Sequence, residues 1–285
     1  MHLKGWLVAC ATVLLLLAPA AGARKLDPEL LAQAEASMIV TGRIDIAPDG
    51  SVDGFDLDRA GELPDYIVGF IGDTVPEWRF EPVLQDGQPV HARATMTLRL
   101  LGTPIDGGSL KISMKGASFG EGGDPAVPRS QRMKPPAYPA GALRSNVQGD
   151  VYLLLKVDLA GKVEEVAVEQ VNLRTIVVGR RAENFRKQLA AAAVGAARRW
   201  RFTETAPGDV PDRGYWTFRL PVTYSLGGVP QPRYGQWQPY FPGERHTRPE
   251  WVGGDDGGGS ADALVAGHPH AIGTGPKLLT PLAEG

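Results

Sequence analysis

Ala137-Tyr138-Pro139-Ala140, Gly149-Asp150-Val151, Ala160-Gly161-Lys162-Val163 and Arg199-Trp200-Arg201-Phe202 punctuate residues 134–227, which close on an alternating run from Tyr215 to Leu226. Tyr138 to Arg144 reads as a short helical turn. Val151, Leu153, Leu155 and Val157 share one face of a strand. Ala160-Gly161 turns the chain, and Val163 to Val171 returns it. Glu183 to Arg199 carries Phe185, Leu189, Ala192, Ala193, Ala196 and Trp200 on one helical stripe. After the loop Pro207-Gly208-Asp209, Trp216, Phe218, Leu220, Val222, Tyr224 and Leu226 line one face of a long last strand. The order is strand, strand, helix, strand.

The same order is expected upstream. Val40, Gly42, Ile44 and Ile46 alternate with polar residues, and Pro48-Asp49-Gly50-Ser51 is a turn signal. Val52 to Leu57 reads as the return strand, and Pro64 to Val75 as a short helix. Trp78-Arg79-Phe80 follows, then Asp86-Gly87, then an alternating strand from Val90 to Leu101. Gly42-Arg43-Ile44 corresponds to Gly149-Asp150-Val151, Gly50-Ser51-Val52 to Gly161-Lys162-Val163, and Glu77-Trp78-Arg79-Phe80 to Arg199-Trp200-Arg201-Phe202. We expect an α+β fold of two tandem ββαβ modules, residues 24–102 and 134–227, the first more diverged. Trp78, Phe80, Trp200 and Phe202 are read as structural, closing each core with large aromatic area. The arginine between each pair is expected to point outward.

The flanks differ in composition. Lys4, the apolar run from Trp6 to Ala18 and the small-residue pattern Ala21-Gly22-Ala23 read as an export signal over residues 1–23. The run is shorter than the ~20 residues a spanning helix needs. The sole cysteine, Cys10, lies inside it. Leu26, Leu30, Leu31, Ala34 and Met38 recur at helical spacing over residues 27–40. Residues 103–133, rich in Gly, Ser and Pro, read as a linker with a short strand at Leu110 to Met114. Residues 228–285 read as a disordered tail. The tail's Trp237, Tyr240, Phe241 and Trp251 could dock on a partner or back on the modules. A formal net charge of −2 leaves no basic footprint for nucleic acid.

The ordered set Tyr-Pro, Gly-x-Val, Gly-Lys-Val, Trp-Arg-Phe and terminal strand resembles the C-terminal domain of the TonB energy transducers. The resemblance covers about a third of the chain well and the first copy weakly. It implies a periplasmic module that grips an outer-membrane receptor, or another envelope protein, by adding a partner strand to the last strand. Carried over, it points to Tyr138, Pro139, Tyr215, Thr217, Arg219, Pro221, Thr223 and Ser225 as partner-binding residues. Pro221 independently suggests a sheet edge, because it has no N–H to donate; that edge is either open to a partner strand or protected by the same proline and by Arg219. Family members commonly carry a Gln shortly before Tyr-Pro, where this chain has Pro135, Pro136 and Ala137.

Two other readings are open. With residues 6–18 retained as an inner-membrane anchor, the chain would be a true energy transducer. With its sheet edges paired to each other, it would be a structural, homodimeric envelope protein. An enzyme is not expected. His268-Pro269-His270 lacks the other ligands of a metal set, Gly120-Glu121-Gly122-Gly123 lacks the context of a phosphate loop, and no nucleophile–base pair or cofactor motif occurs.

Overall fold

The computed structural model describes residues 7–9, 35–105, 109–120, 127–207, 210–227, 233–253, 263–264 and 267–282. Most of the expected export segment lies outside them. Among the described residues no helix is long and apolar enough to cross a membrane. In chain order the elements are β1 (Leu7–Ala9), β2 (Glu35–Ile46), β3 (Val52–Leu57), α1 (Asp65–Thr74), β4 (Leu84–Gln85), β5 (Gln88–Pro89), β6 (Ala92–Ile105), β7 (Ser109–Gly120), β8 (Ser130–Arg132), α2 (Ala140–Arg144), β9 (Gly149–Val157), β10 (Val163–Leu173), α3 (Gly179–Ala197), β11 (Arg201–Phe202), β12 (Trp216–Tyr224), β13 (Gln238–Tyr240) and β14 (His270–Ala271).

Two antiparallel sheets organise the chain. In the first, β2 is central, with β3 on one side and β6 on the other; β6 in turn pairs with β7. In the second, β9 is central between β10 and β12. Helix α1 buries Ile67 and Ile71 in the first core, and α3 buries Phe185, Leu189, Ala193 and Ala196 in the second. The periodicities put these residues inside, as expected from spacing of 2 in strands and 3.6 in helices.

The two halves match at their turns. Gly50 and Gly161 have φ of 81° and 76°. A Cβ at either would lie 2.1 Å from a carbonyl oxygen, that of Phe80 or Phe202. The N–H of Phe80 donates to Gly50 O, and that of Phe202 to Gly161 O, each at 2.8 Å. The Trp-Arg-Phe segment therefore folds back onto the hairpin turn in each half. Trp78, Phe80, Trp200 and Phe202 are all buried. Of the intervening arginines, Arg79 is exposed, as expected, and Arg201 is half-buried. Arg79 Nη1 donates to Trp78 O at 3.1 Å, and Arg201 Nη1 to Trp200 O at 2.8 Å.

Several expectations need correction. Glu35 to Val40 is the start of β2, not the end of a helix, and residues 27–34 lie outside the described set. Residues 103–133, expected as linker, hold the end of β6, the 12-residue β7 and β8. There Leu110, Ile112, Met114, Ala117 and Phe119 are buried in the first core. Helix α3 starts at Gly179, earlier than Glu183. The tail is not disordered in its described parts. Trp237 is buried in the first core, its Nε1 donating to Tyr66 Oη at 3.0 Å, and Phe241 is buried in the second. These segments lack a period because they run extended along other elements, and such a strap satisfies its backbone at their edges.

Replacing Gly161 or Gly50 by Ala should cost at least about 2 kcal/mol, from the left-handed backbone and the carbonyl clash. Urea unfolding of the two variants checks this, and comparable losses are expected.

Candidate functional site

β12 pairs with β9 over its whole length, Trp216 opposite Val157 to Tyr224 opposite Gly149, with no shift in register. Phe218, Leu220, Val222 and Tyr224 face α3 and the core. The other face carries Thr217, Arg219, Pro221 and Thr223. On the side away from β9, Pro221 O accepts from Gly267 N at 3.0 Å and Thr217 O accepts from Ile272 N at 2.8 Å. A strand residue sends its N–H and C=O to the same side. The N–H that Pro221 lacks would therefore face this outer edge, which is why proline fits here. The side expected to be an edge is not open there: the chain's own β14 pairs along it, with Phe218 opposite Ala271 and Arg219 opposite His270.

The candidate residues separate in consequence. Thr217, Arg219 and Pro221 are buried, Tyr215 is half-buried, and Thr223 and Ser225 are exposed. Tyr215 Oη donates to Trp251 O at 3.1 Å, so a tail residue also meets the start of β12. Thr223 Oγ1 donates to Asp150 Oδ1 at 2.6 Å. Pro139 caps α2. Tyr138 reaches the far end of β12, its ring meeting that of Tyr224 edge-on with centroids 5.4 Å apart. Its hydroxyl donates to Val147 O at 2.7 Å, and that of Tyr224 to Leu189 O at 3.1 Å. Burial pushes both phenols above their ordinary 10.0; Arg174 partly offsets this at Tyr138, and Tyr138 adds to it at Tyr224.

Arg219, one of the partner-binding candidates, is part of a buried ionic cluster. Its Nε and Nη2 donate to Glu169 Oε2 and Oε1 at 2.6 and 3.0 Å. Arg248 of the tail adds Nε to Oε1 at 3.0 Å. The Glu169 side chain is 0% exposed and that of Arg219 5%. Glu169 is an extra residue in β10: Val168 pairs with Leu153 and Gln170 with Tyr152. This bulge puts it beside Arg219. Sequence reasoning missed Glu169 and Arg248. The one trace was a break of parity, since Val166 and Val168 are two positions apart but Val168 and Val171 three.

Beyond the ionic cluster, the tail crosses between the sheets. Arg99 of β6 donates to Ser37 Oγ at 2.8 Å and to Tyr152 Oη of β9 at 3.3 Å, with Tyr240 beneath its guanidinium. A cavity of about 140 Å³ beside it is lined by Ser37, Tyr152, Pro221, Tyr240 and Leu264 among others. Among the described residues no group of three His, Cys, Asp or Glu side chains is placed to hold a metal ion, and His270 lies opposite Arg219 in the ladder.

No protein-family profile matches the chain. A stretch of 97 residues, 34% of this chain, is 34% identical to Protein TonB of Xanthomonas campestris pv. campestris strain B100, and equally to that of strain ATCC 33913. About a third of the chain is similar to TonB. The match spans 37% of the length of these relatives. It supports a TonB-like domain over that stretch, within a chain whose sheets and helices are compatible with an α+β class.

Glu169→Gln should cost about 3–5 kcal/mol, because it leaves a buried guanidinium without its carboxylate; equilibrium unfolding in urea measures it. Raised phenol pKa values stabilise the fold fully below the unfolded value of 10.0 and lose that contribution as pH climbs through the folded values. Unfolding free energy should therefore fall above pH 10, and Tyr224→Phe should make that fall shallower.

Proposed function

We propose that this protein is an exported, TonB-like envelope module that holds another protein by accepting an extended segment along the outer edge of β12. The observation that carries the reading is the regular, unbulged β12 ladder in a chain with TonB similarity over about a third of its length. Main-chain hydrogen bonds supply affinity in strand addition, and pockets for alternate side chains supply choice. Thr223 and Ser225 remain exposed at the far end of the strand, near Tyr138 and Pro139. That end is where an incoming segment would first find free backbone. A TonB-dependent outer-membrane receptor, or another envelope protein with an extended periplasmic segment, is the partner class.

We infer further that residues 24–102 and 134–227 are two copies of one module. The inference is supported by matching element order, hairpin–helix–strand, in both halves. It is also supported by the Gly50 and Gly161 turns, each closed by the phenylalanine of a Trp-Arg-Phe segment. In the first copy the strand equivalent to β12 is β6, and β7 fills its outer edge over 11 register pairs from Thr95 to Ile105. Only the second copy is then left to receive a partner.

The test is amide-resolved NMR of the full chain, titrated with a synthetic peptide from the periplasmic N-terminus of a TonB-dependent receptor of the source bacterium. Shifts at Tyr138, Tyr215 and residues 216–225, and at the tail residues 267–272 that pair with β12, are expected. Thr223→Pro, which removes an edge-facing N–H, should weaken binding about tenfold, since one backbone hydrogen bond contributes about 0.5–1.5 kcal/mol. No perturbation, or perturbation only elsewhere, overturns the reading.

A further inference from the structure

The outer strands of the two sheets are not alike. β3 carries an extra residue at Asp53, β7 at Lys115, and β10 at Glu164 and Glu169, each seen as a register shift against its neighbour. Bulges twist an edge and spoil it as a template for further pairing. β12 has no such shift over its nine residues. It is the straight edge among them. The chain nevertheless covers it with a short segment, since β14 is only 2 residues long.

The contacts of that segment are those of an added strand. Gly267 and Ile272 donate their N–H groups to Pro221 O and Thr217 O. Ala271, opposite Phe218, packs its side chain against the core of the second sheet. His270, opposite Arg219, faces the other way. The segment is pinned beyond the edge as well: Ala263 and Leu264 are buried before it, and Leu278 pairs with Phe80 of the first half after it. The strand itself is short and stops before Thr223.

We propose that residues 267–272 are an internal competitor for the β12 edge, a built-in strand that a partner peptide must displace. This rests on the reading of β12 as the partner-binding strand and adds its regulation. The partner the geometry fits is an extended peptide with a small apolar residue opposite Phe218 and a polar one opposite Arg219. It needs N–H donors opposite Thr217 and Pro221. It gains over the competitor by continuing past Pro221 along Thr223 and Ser225. A site closed in most molecules binds with its intrinsic affinity reduced by the open fraction. Local loosening of the tail, rather than a change in β12, then sets the response.

The test uses the full chain and a fluorescein-labelled peptide of residues 263–274 supplied in trans. Ile272→Pro removes the donor to Thr217 O; Ile272→Ala keeps it. The labelled peptide is expected to bind the Ile272→Pro chain at least about tenfold more tightly than the native and Ile272→Ala chains, the factor by which an edge closed in about nine molecules of ten depresses affinity. Equal binding to all of them, or binding to none, overturns the proposal. Should Ile272→Pro fail to fold by circular dichroism, native-state hydrogen exchange decides. Gly267 and Ile272 amides must then exchange through a local opening that Leu153 and Leu155 amides do not share; exchange of all four only by global unfolding overturns the competitor. A receptor peptide that binds native and Ile272→Pro chains equally well overturns the competitor and leaves strand addition standing. A tail peptide that binds Ile272→Pro while receptor peptides do not supports the competitor and removes the receptor reading.

Discussion

A carboxylate shut off from water governs how the C-terminal third of this chain is arranged. Glu169 has no exposed side-chain surface, and an ionised group in that position is tolerated only when paired and hydrogen-bonded. Arg219 of β12 and Arg248 of the tail supply the pairing. The cluster therefore ties together a bulge in β10, the outer face of β12 and a segment remote in sequence. His246 N donates to Glu169 O at 2.8 Å, so the same residue also anchors the tail through its backbone. Residues 246–248 are thereby fixed on the second sheet, while Trp237 and β13 upstream stay on the first.

That anchoring explains the edges. On one side of the cluster, Phe241 and Leu173 exchange backbone hydrogen bonds of 2.9 Å, so the tail closes the outer edge of β10. On the other, β14 closes part of β12. Further on, Leu279 N donates to Arg79 O at 2.8 Å, and the tail ends against the Trp-Arg-Phe segment of the first half. An open sheet edge invites pairing with other chains. This protein deals with the problem by bulging most of its edges and strapping the rest. The strap over β12 is the shortest of these pairings along a regular strand, and it lies where a TonB-like module would take its partner. On the proposed reading, protection and recognition share one surface.

Much of the fold was legible in residue spacing. Val151, Leu153, Leu155 and Val157 declared a strand face, Phe185, Leu189, Ala193 and Ala196 a helix face, and Gly50 and Gly161 the hairpin turns. Of the candidate site, Pro221 lies on the side of β12 away from β9, where β14 pairs, and Arg219 is buried against Glu169. An arginine on the polar side of an alternating strand reads as solvated, and nothing near it in sequence reveals that Glu169 and Arg248 will bury it. Helical spacing at Met38 misled in a similar way: Met38 and Val40 also alternate, and pairing with β6 carried the choice from Glu35 onward.

By itself the sequence determined the hairpins, the helices and the strands that follow them in each half, and the glycine turns at Gly50 and Gly161, because each depends on contacts within a few residues. Where the tail would go, which edges it would close and which polar residues would end up dry were decided only by the tertiary structure. A Gly- and Pro-rich strap has no periodic signature of its own. Its conformation is set by the hydrogen-bonding edges and apolar gaps of strands tens of residues away, and those exist only once the two sheets have formed.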